Sequence, residues 1–333
     1  MTPPIALVVG PIFFEDAKWQ ALAPEVTLKE YRKGTREEFI SLLKSGTFDG
    51  AEAIFRSNES TAVTGPFTEE IVSVLPSTVK YICHSGAGYD NIDVEACTKR
   101  GIQVSNTPHC NEDAVADLTI YLMIGALRQI TRPNNALRAG KWRGTIVPGH
   151  DPQGKILGIL GMGGIGSGVA KRAEAFGMKI QYHNRHPLPS TSTTHPSATY
   201  VSFDELLSTS DVISLNLALS HGTEHILGAP EFAQMKKGVV IVNTARGGLI
   251  DEEAMIRALD EGKVFSVGLD VFENEPHVDA RLLGSEKVVI SPHIGAATVE
   301  TMAAMERLVI ENIKSALFDG KLLTQVHEQL VKS

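Results

Sequence analysis

Residues 155–166 read Lys155-Ile156-Leu157-Gly158-Ile159-Leu160-Gly161-Met162-Gly163-Gly164-Ile165-Gly166. An apolar run of strand length ends in a cluster of glycines. The next stretch places Ile165, Val169, Ala173 and Phe176 on one face of a helix that Gly177 stops. Strand, glycine turn and helix in this order form a phosphate cradle: the glycines allow a tight turn and a close approach of the backbone. The first N–H groups of the helix then face a pyrophosphate. The alternative is a glycine-rich β–α turn that holds nothing. The following strand ends at Tyr182-His183-Asn184-Arg185-His186, where a site for NAD would place a carboxylate to accept from the ribose 2′-hydroxyl. None is present. Uncharged Asn184 does not repel a 2′-phosphate and Arg185 can donate to one, so NADP(H) is expected in preference to NAD(H). Otherwise Arg185 is an ordinary solvated arginine.

Working outward, further strands are expected at Val212–Leu215, Val239–Val242, Val267–Val271 and Val288–Ile290, with a helix over Asp251–Glu261. The first third of the chain carries its own series: Ile5–Val9, Val26–Tyr31, Ala53–Phe55, Val79–Cys83 and Ile102–Ser105. Strands alternating with helix-length segments mean parallel α/β layers, and 333 residues suffice for two domains with a cleft. Between the two series lies Asn111–Ile130, apolar on nearly every face and therefore expected to be buried between domains or subunits, or in one domain's core. Asn111 is its expected N-cap. Residues 131–154, with Trp142 among Pro, Asn and Gly, read as an exposed arm, and His186–Ser197 as a surface loop.

Thirty-one Lys and Arg against 39 Asp and Glu leave a formal charge of −8, with no basic stripe, which argues against nucleic acid as a partner. Cys83, Cys97 and Cys110 make an odd number without metal-ligand spacing, and the run Ile5–Val9 is too short for a secretory or membrane segment. A cytoplasmic protein with no membrane partner is the expectation. His221 and His225 stand four apart, but Gly222 lies between them and no third ligand is apparent, so no metal site is expected.

Three segments place ionisable residues just beyond expected strands, where open α/β sheets bind ligands. They are Asn243-Thr244-Ala245-Arg246-Gly247-Gly248, Asp270-Val271-Phe272-Glu273-Asn274-Glu275-Pro276 and Ser291-Pro292-His293-Ile294-Gly295. An arginine, carboxylates and a histidine at one rim are the residue types that reduction of a 2-oxo acid requires: a cation for the carboxylate and carbonyl, and a proton donor for the incipient alkoxide. A neighbouring carboxylate suits the histidine to that role. The pattern does not choose among Asp270, Glu273 and Glu275 as its partner.

On these segments, with Ser85-Gly86-Ala87-Gly88-Tyr89-Asp90, Asn106-Thr107-Pro108 and the glycine turn, the chain resembles the D-isomer-specific 2-hydroxyacid dehydrogenases over nearly its full length, closest to the glyoxylate/hydroxypyruvate reductase branch. The resemblance implies two doubly wound parallel-sheet α/β domains. A flavodoxin-like substrate domain would comprise residues 1–110 and 297–333, and an inserted Rossmann domain residues 111–296, with a dimerisation helix and arm at 111–154. It further implies that Arg246 binds and polarises the 2-oxo acid, that His293 is the general acid and base, and that Glu275 is its partner. The backbone of Gly86, Ala87 and Gly88 would hold the substrate carboxylate, with Arg56 as a further substrate contact. Cofactor contacts are implied for Gly161, Met162, Gly163, Gly164, Ile165, Gly166, Asn184, Arg185, Leu217, Thr244, Ala245, Arg246, Asp270, His293 and Gly295, Asp270 touching the nicotinamide carboxamide. A homodimer reducing glyoxylate or hydroxypyruvate with NADPH is the resulting expectation. The alternatives are a dehydrogenase for bulkier acids such as mandelate and, more remotely, a nucleotide-sensing corepressor-like binding protein. The chain departs from many relatives at Asp117, in place of Glu, and at Ala218-Leu219-Ser220, in place of Pro-Leu-Thr.

Overall fold

Alternating apolar residues in the first third assemble a five-stranded, all-parallel sheet. Its strands are β1 (Ile5–Val9), β2 (Thr27–Tyr31), β3 (Ala51–Ser57), β4 (Tyr81–Ser85) and β5 (Gln103–Ser105), in the order β2-β1-β3-β4-β5. This is the flavodoxin-like doubly wound order. Because side chains alternate across a strand, Leu7, Val9, Ile54, Ile82 and Val104 bury against Phe39, Phe67 and Ile71 on one face. Ala6, Val8, Phe55 and Cys83 bury on the other against Trp19 and the helix Val299–Asp319, through Val309, Ile310 and Ile313. The C-terminal helix therefore completes the first unit, which comprises residues 1–111 and 297–333. Thr298 caps its start by accepting from the Thr301 N–H, and Gly320 ends it in the left-handed conformation, φ +68°. Within it, the buried Glu306 carboxylate accepts from the backbone N–H groups of Phe13, Phe14 and Glu15 and so fixes the loop after β1.

The computed structural model describes residues 2–142, 146–189 and 197–330. Its second unit, residues 112–296, carries seven parallel strands. These are β6 (Ile156–Leu160), β7 (Lys179–His183), β8 (Thr199–Tyr200), β9 (Val212–Leu215), β10 (Val239–Asn243), β11 (Val264–Leu269) and β12 (Val288–Ile290). The order β12-β11-β10-β9-β6-β7-β8 is that of a Rossmann sheet extended by one strand, so both domains have the expected doubly wound class. The two-residue β8 was not expected, and β11 runs from Val264 to Leu269 where Val267–Val271 was expected. That shift leaves Asp270 just beyond the strand.

The helix Glu112–Leu127 lies on this sheet, and its buried residues, Val115, Ala116, Thr119, Leu122, Met123, Ala126 and Leu127, follow the helical repeat. It is not buried all round: Tyr121 is 61% exposed. Arg172 ties it to the helix Gly164–Ala175 through ion pairs to Asp113 and Asp117, so the aspartate at 117 is used rather than merely tolerated. The arm contains a helix, Thr131–Arg138, with no buried residue. The remainder of the arm at 143–145, and residues 190–196 of the loop after β7, lie outside the described residues. Among the described residues no single helix is long and apolar enough to cross a membrane, although the bent pair Glu112–Leu127 and Thr131–Arg138 passes on length and composition together.

Candidate active site

The strands of the second unit deliver the expected segments in a row along their carboxyl ends. From one edge inward these are Ser291–Gly295 after β12, Asp270–Glu275 after β11, Thr244–Arg246 after β10, Leu217 after β9, the glycine turn after β6 and Asn184-Arg185 after β7.

The glycine turn is built for close approach. Gly161 has φ +100°, and a Cβ there would lie 2.8 Å from the Asn216 carbonyl oxygen and 2.9 Å from Leu217 Cδ2. A Cβ on Gly166 would meet the Gly161 carbonyl oxygen at 2.2 Å, so the helix must start with glycine to pack this close to the strand. Gly163 precedes the helix without any side-chain cap, and Gly163 and Gly164 are exposed, leaving the helix start open to an anion. The Glu112 carboxylate lies where a Cβ of Gly164 would be, so a carboxylate already sits at the positive end of this helix. Met162 and Ile165 pack into the core beneath, and of the four helix residues expected to be buried, Phe176 is exposed instead. The cradle fits a dinucleotide diphosphate.

Asn184 performs a task the sequence did not reveal. Its Oδ1 accepts from the Met162 N–H at 2.7 Å, which locks the turn and turns the amide NH2 away from it. Arg185 is exposed, with no ion pair among the described residues. Leu217 leans on Gly161, and the loop that follows is held by Thr223, whose hydroxyl accepts from the Ser220 N–H and donates to the Ala218 carbonyl. The Ala218-Leu219-Ser220 departure thus keeps a closed turn.

At the other end, His293 Nδ1 donates to Glu275 Oε2 at 2.7 Å, leaving Nε2 on the far side of the ring. His293 sits at φ +53°, a conformation costly for a non-glycine residue, and its N–H bonds the Asp270 carbonyl oxygen. Burial by itself raises the pKa of Glu275. The hydrogen bond from His293, that residue's charge, the Phe272 N–H and the charge of Arg246 together outweigh burial and hold the carboxyl below the usual range. The three carboxylates left open by the sequence divide their work. Glu275 takes His293, while Glu273 takes His225 at 2.7 Å and exchanges backbone contacts with Glu252. Asp270, 1% exposed, accepts from Ser291 Oγ and from the N–H groups of Ile294 and Gly295. Asp270 is thus the anchor of the segment that carries His293.

Arg246 is placed by an Asx turn: Asn243 Oδ1 accepts from the Ala245 N–H and its Nδ2 donates to the Arg246 carbonyl. Thr244 is buried with its hydroxyl 2.7 Å from that of Thr119. Gly247 has no room for a side chain, since a Cβ would lie 1.9 Å from the carbonyl carbon of Phe272. This contact brings the segment bearing Arg246 against the one bearing Glu275. Replacing Gly247 by alanine should lower kcat/KM by about 10²-fold or more, because backbone cannot yield as a flexible side chain can and an ångström of misplacement costs that much. Steady-state kinetics on the folded variant check this, and an unchanged kcat/KM would show that the contact does not set the site.

In the first unit, Gly86, Ala87 and Gly88 follow β4 and are partly exposed, but Arg56 is fully buried. The expected direct substrate contact by Arg56 has no exposed surface to use. Asn243, Gly247, Ser291 and the His225–Glu273 pair escaped the sequence reading. Only the glycine stood inside a segment singled out there.

These features define a nucleotide-binding sheet with a histidine, a carboxylate and an arginine at its rim. The sequence profile of the "D-isomer specific 2-hydroxyacid dehydrogenase, NAD binding domain" matches residues 120–295. The chain belongs to the D-isomer specific 2-hydroxyacid dehydrogenase family. It is 57% identical to 4-methyl-2-oxopentanoate reductase A of Aspergillus oryzae over 326 residues, 98% of each chain. Its fold matches a glyoxylate reductase from Paecilomyes thermophila with a TM-score of 0.95 at 58% identity, covering 99% of this chain and 100% of that one. It also matches an NADPH-dependent glyoxylate/hydroxypyruvate reductase from Sinorhizobium meliloti, solved with NADP and malonate. The TM-score there is 0.85 at 29% identity over 98% of both chains.

Proposed function

We propose that this protein reduces small 2-oxo acids to D-2-hydroxy acids with NADPH, on the observation that Arg246, Glu275 and His293 meet at the rim of the sheet that carries the phosphate cradle. Residues 111–296 hold the dinucleotide and residues 1–110 with 297–333 the substrate. The bound dinucleotide supplies a hydride from its reduced nicotinamide ring. Arg246 pairs with the substrate carboxylate and polarises the carbonyl, and the backbone N–H groups of Gly86, Ala87 and Gly88 share that carboxylate. His293 gives the Nε2 proton to the oxygen, and Glu275 fixes its tautomer and stabilises the ring while it is charged. Asp270 uses three of about four acceptor positions of its carboxylate on its own loop, which leaves one for the nicotinamide carboxamide. Thr244, Ala245, Leu217 and Gly295 line the row between cradle and histidine.

Two observations support NADPH over NADH. Asn184 spends its oxygen on Met162 and presents only N–H donors, and Arg185 is exposed beside it. Arg185→Ala should reduce the NADPH-to-NADH ratio of kcat/KM by about tenfold through loss of a charge-assisted pair, with the NADH value unchanged. A wild-type enzyme faster with NADH would refute the assignment.

The substrate is tested with glyoxylate, hydroxypyruvate, phenylglyoxylate and 4-methyl-2-oxopentanoate as a panel. Highest kcat/KM for the first two supports the reductase reading. Highest kcat/KM for the third or fourth supports the bulky-acid alternative, which the Aspergillus relative favours. No turnover on any would leave a binding protein. The exposed Tyr121, Leu137, Trp142 and Ile146 support a homodimer through the helix and arm, read by sedimentation equilibrium. Three free cysteines, two of them with thiols that burial pushes up to about 12, suit a cytoplasmic setting, which imaging of the tagged chain would check.

A further inference from the structure

Under the Gly86–Gly88 loop the first unit carries a buried cation and imidazole whose placement follows from strand register. Arg56 on β3 and His84 on β4 are direct partners in the parallel ladder, on the sheet face that also carries Ile54 and Ile82. Alternation thus drives a guanidinium into an apolar layer, over the Phe67 ring at 5.0 Å. Arg56 is 0% exposed, and its Nε has no hydrogen-bond partner. Burial lowers its pKa to about 10 against the opposing charge of Asp90, so it remains a cation at neutral pH. A buried charge this costly calls for a task.

The hydrogen bonds indicate one. Arg56 Nη2 donates to Thr61 Oγ1, and its Nη1 lies 3.0 Å from His84 Nδ1. A guanidinium can only donate, so Nδ1 is the acceptor and the ring proton is on Nε2. Nε2 lies 3.1 Å from the Gly88 carbonyl oxygen and therefore donates to it. The other two carbonyls of the loop are tied as well, Gly86 to the Thr107 N–H at 3.0 Å and Ala87 to Asn106 Nδ2 at 2.7 Å. A Cβ on Gly86 would lie 2.4 Å from His84 Nε2, so the glycine leaves room for the ring. With all three carbonyls drawn back, no hydrogen bond among the described residues uses the N–H groups of Gly86, Ala87 or Gly88.

We propose that Arg56 and His84 are positioning residues: Arg56 fixes the tautomer of His84, and His84 holds the Gly88 carbonyl so that the loop presents its N–H groups to the substrate carboxylate. The inference rests on the 2-oxo acid reading and replaces direct contact by Arg56 with action through His84. Such a preorganised set of donors binds an anion without reorganising.

The test compares His84→Gln with His84→Asn. The amide of Gln can accept from Arg56 and reach Gly88 as Nε2 does. The shorter Asn can satisfy Arg56 but cannot reach Gly88. His84→Asn should raise KM for the 2-oxo acid by about tenfold or more, the loss of one or two hydrogen bonds to a charged ligand. The dissociation constant for NADPH should not change, and His84→Gln should stay within about threefold of wild type. A merely structural role would lower Tm in both variants without this split in KM. Equal KM in wild type, Asn and Gln variants would overturn the proposal, as would an equal rise in both. If wild type itself turns over no 2-oxo acid, the functional reading fails. In that case oxalate binding to the three proteins, measured by calorimetry, still decides whether His84 governs an anion site: the proposal requires weaker binding to the Asn variant alone, and equal binding overturns it.

Discussion

Replacing His293 by alanine should lower kcat by about 10³-fold while leaving the NADPH dissociation constant within about twofold of wild type. The magnitude is that of losing a positioned proton donor, and the separation of effects follows from where the residue stands. His293 follows β12, whereas the phosphate cradle follows β6, three strands away in the same sheet. Its side chain is 40% exposed and held on the Nδ1 side by Glu275, so nothing in the core depends on it. Relief of the φ +53° conformation at position 293 would not destabilise the fold, and thermal unfolding should show a Tm at or slightly above that of wild type. An alanine variant with undiminished kcat would remove His293 from the chemistry.

Arg246→Gln should be as damaging in a different parameter: kcat/KM for the 2-oxo acid falls about 10³-fold, with KM rising as well as kcat falling. One side chain is asked to bind the carboxylate, which raises affinity in the ground state, and to polarise the carbonyl, which acts in the transition state. Arg246 also lowers the pKa of Glu275. Its loss therefore weakens the carboxylate that orients His293. Arg246→Lys keeps the charge without the planar fork and should recover only part of the loss. If Arg246→Gln changed only the NADPH constants, the arginine would be a cofactor residue and no more.

Much of this was legible in the sequence because it is written in local signals. Each strand of the two sheets was marked by its own apolar run, and the glycine turn by its place between strand and helix. Arg246, Glu275 and His293 could be found because open parallel sheets put ligands beyond strand ends, and each residue stands a few positions past one. What stayed hidden depends on contacts between distant stretches. Nothing near Glu306 announces that it will accept from three N–H groups some 290 residues away. Arg56 reads as a plausible substrate contact until the β3–β4 register places it beneath Phe67 and against His84. Glu273, Glu275 and Asp270 look interchangeable in sequence. They separate only when His225, His293 and Ser291 arrive from other segments. The helix Thr131–Arg138 was missed for another reason: it buries no residue, so no apolar stripe marks it.

The central claim is that this rim directs hydride to the carbonyl carbon of a 2-oxo acid from one face. It is tested most directly by running the reaction with 4-methyl-2-oxopentanoate or glyoxylate and NADPH deuterated at both C4 positions, followed by mass spectrometry and chiral chromatography. The account predicts one deuterium at C2 of each product and the D configuration of the branched 2-hydroxy acid. Product without deuterium at C2, or product of the L configuration, would contradict it.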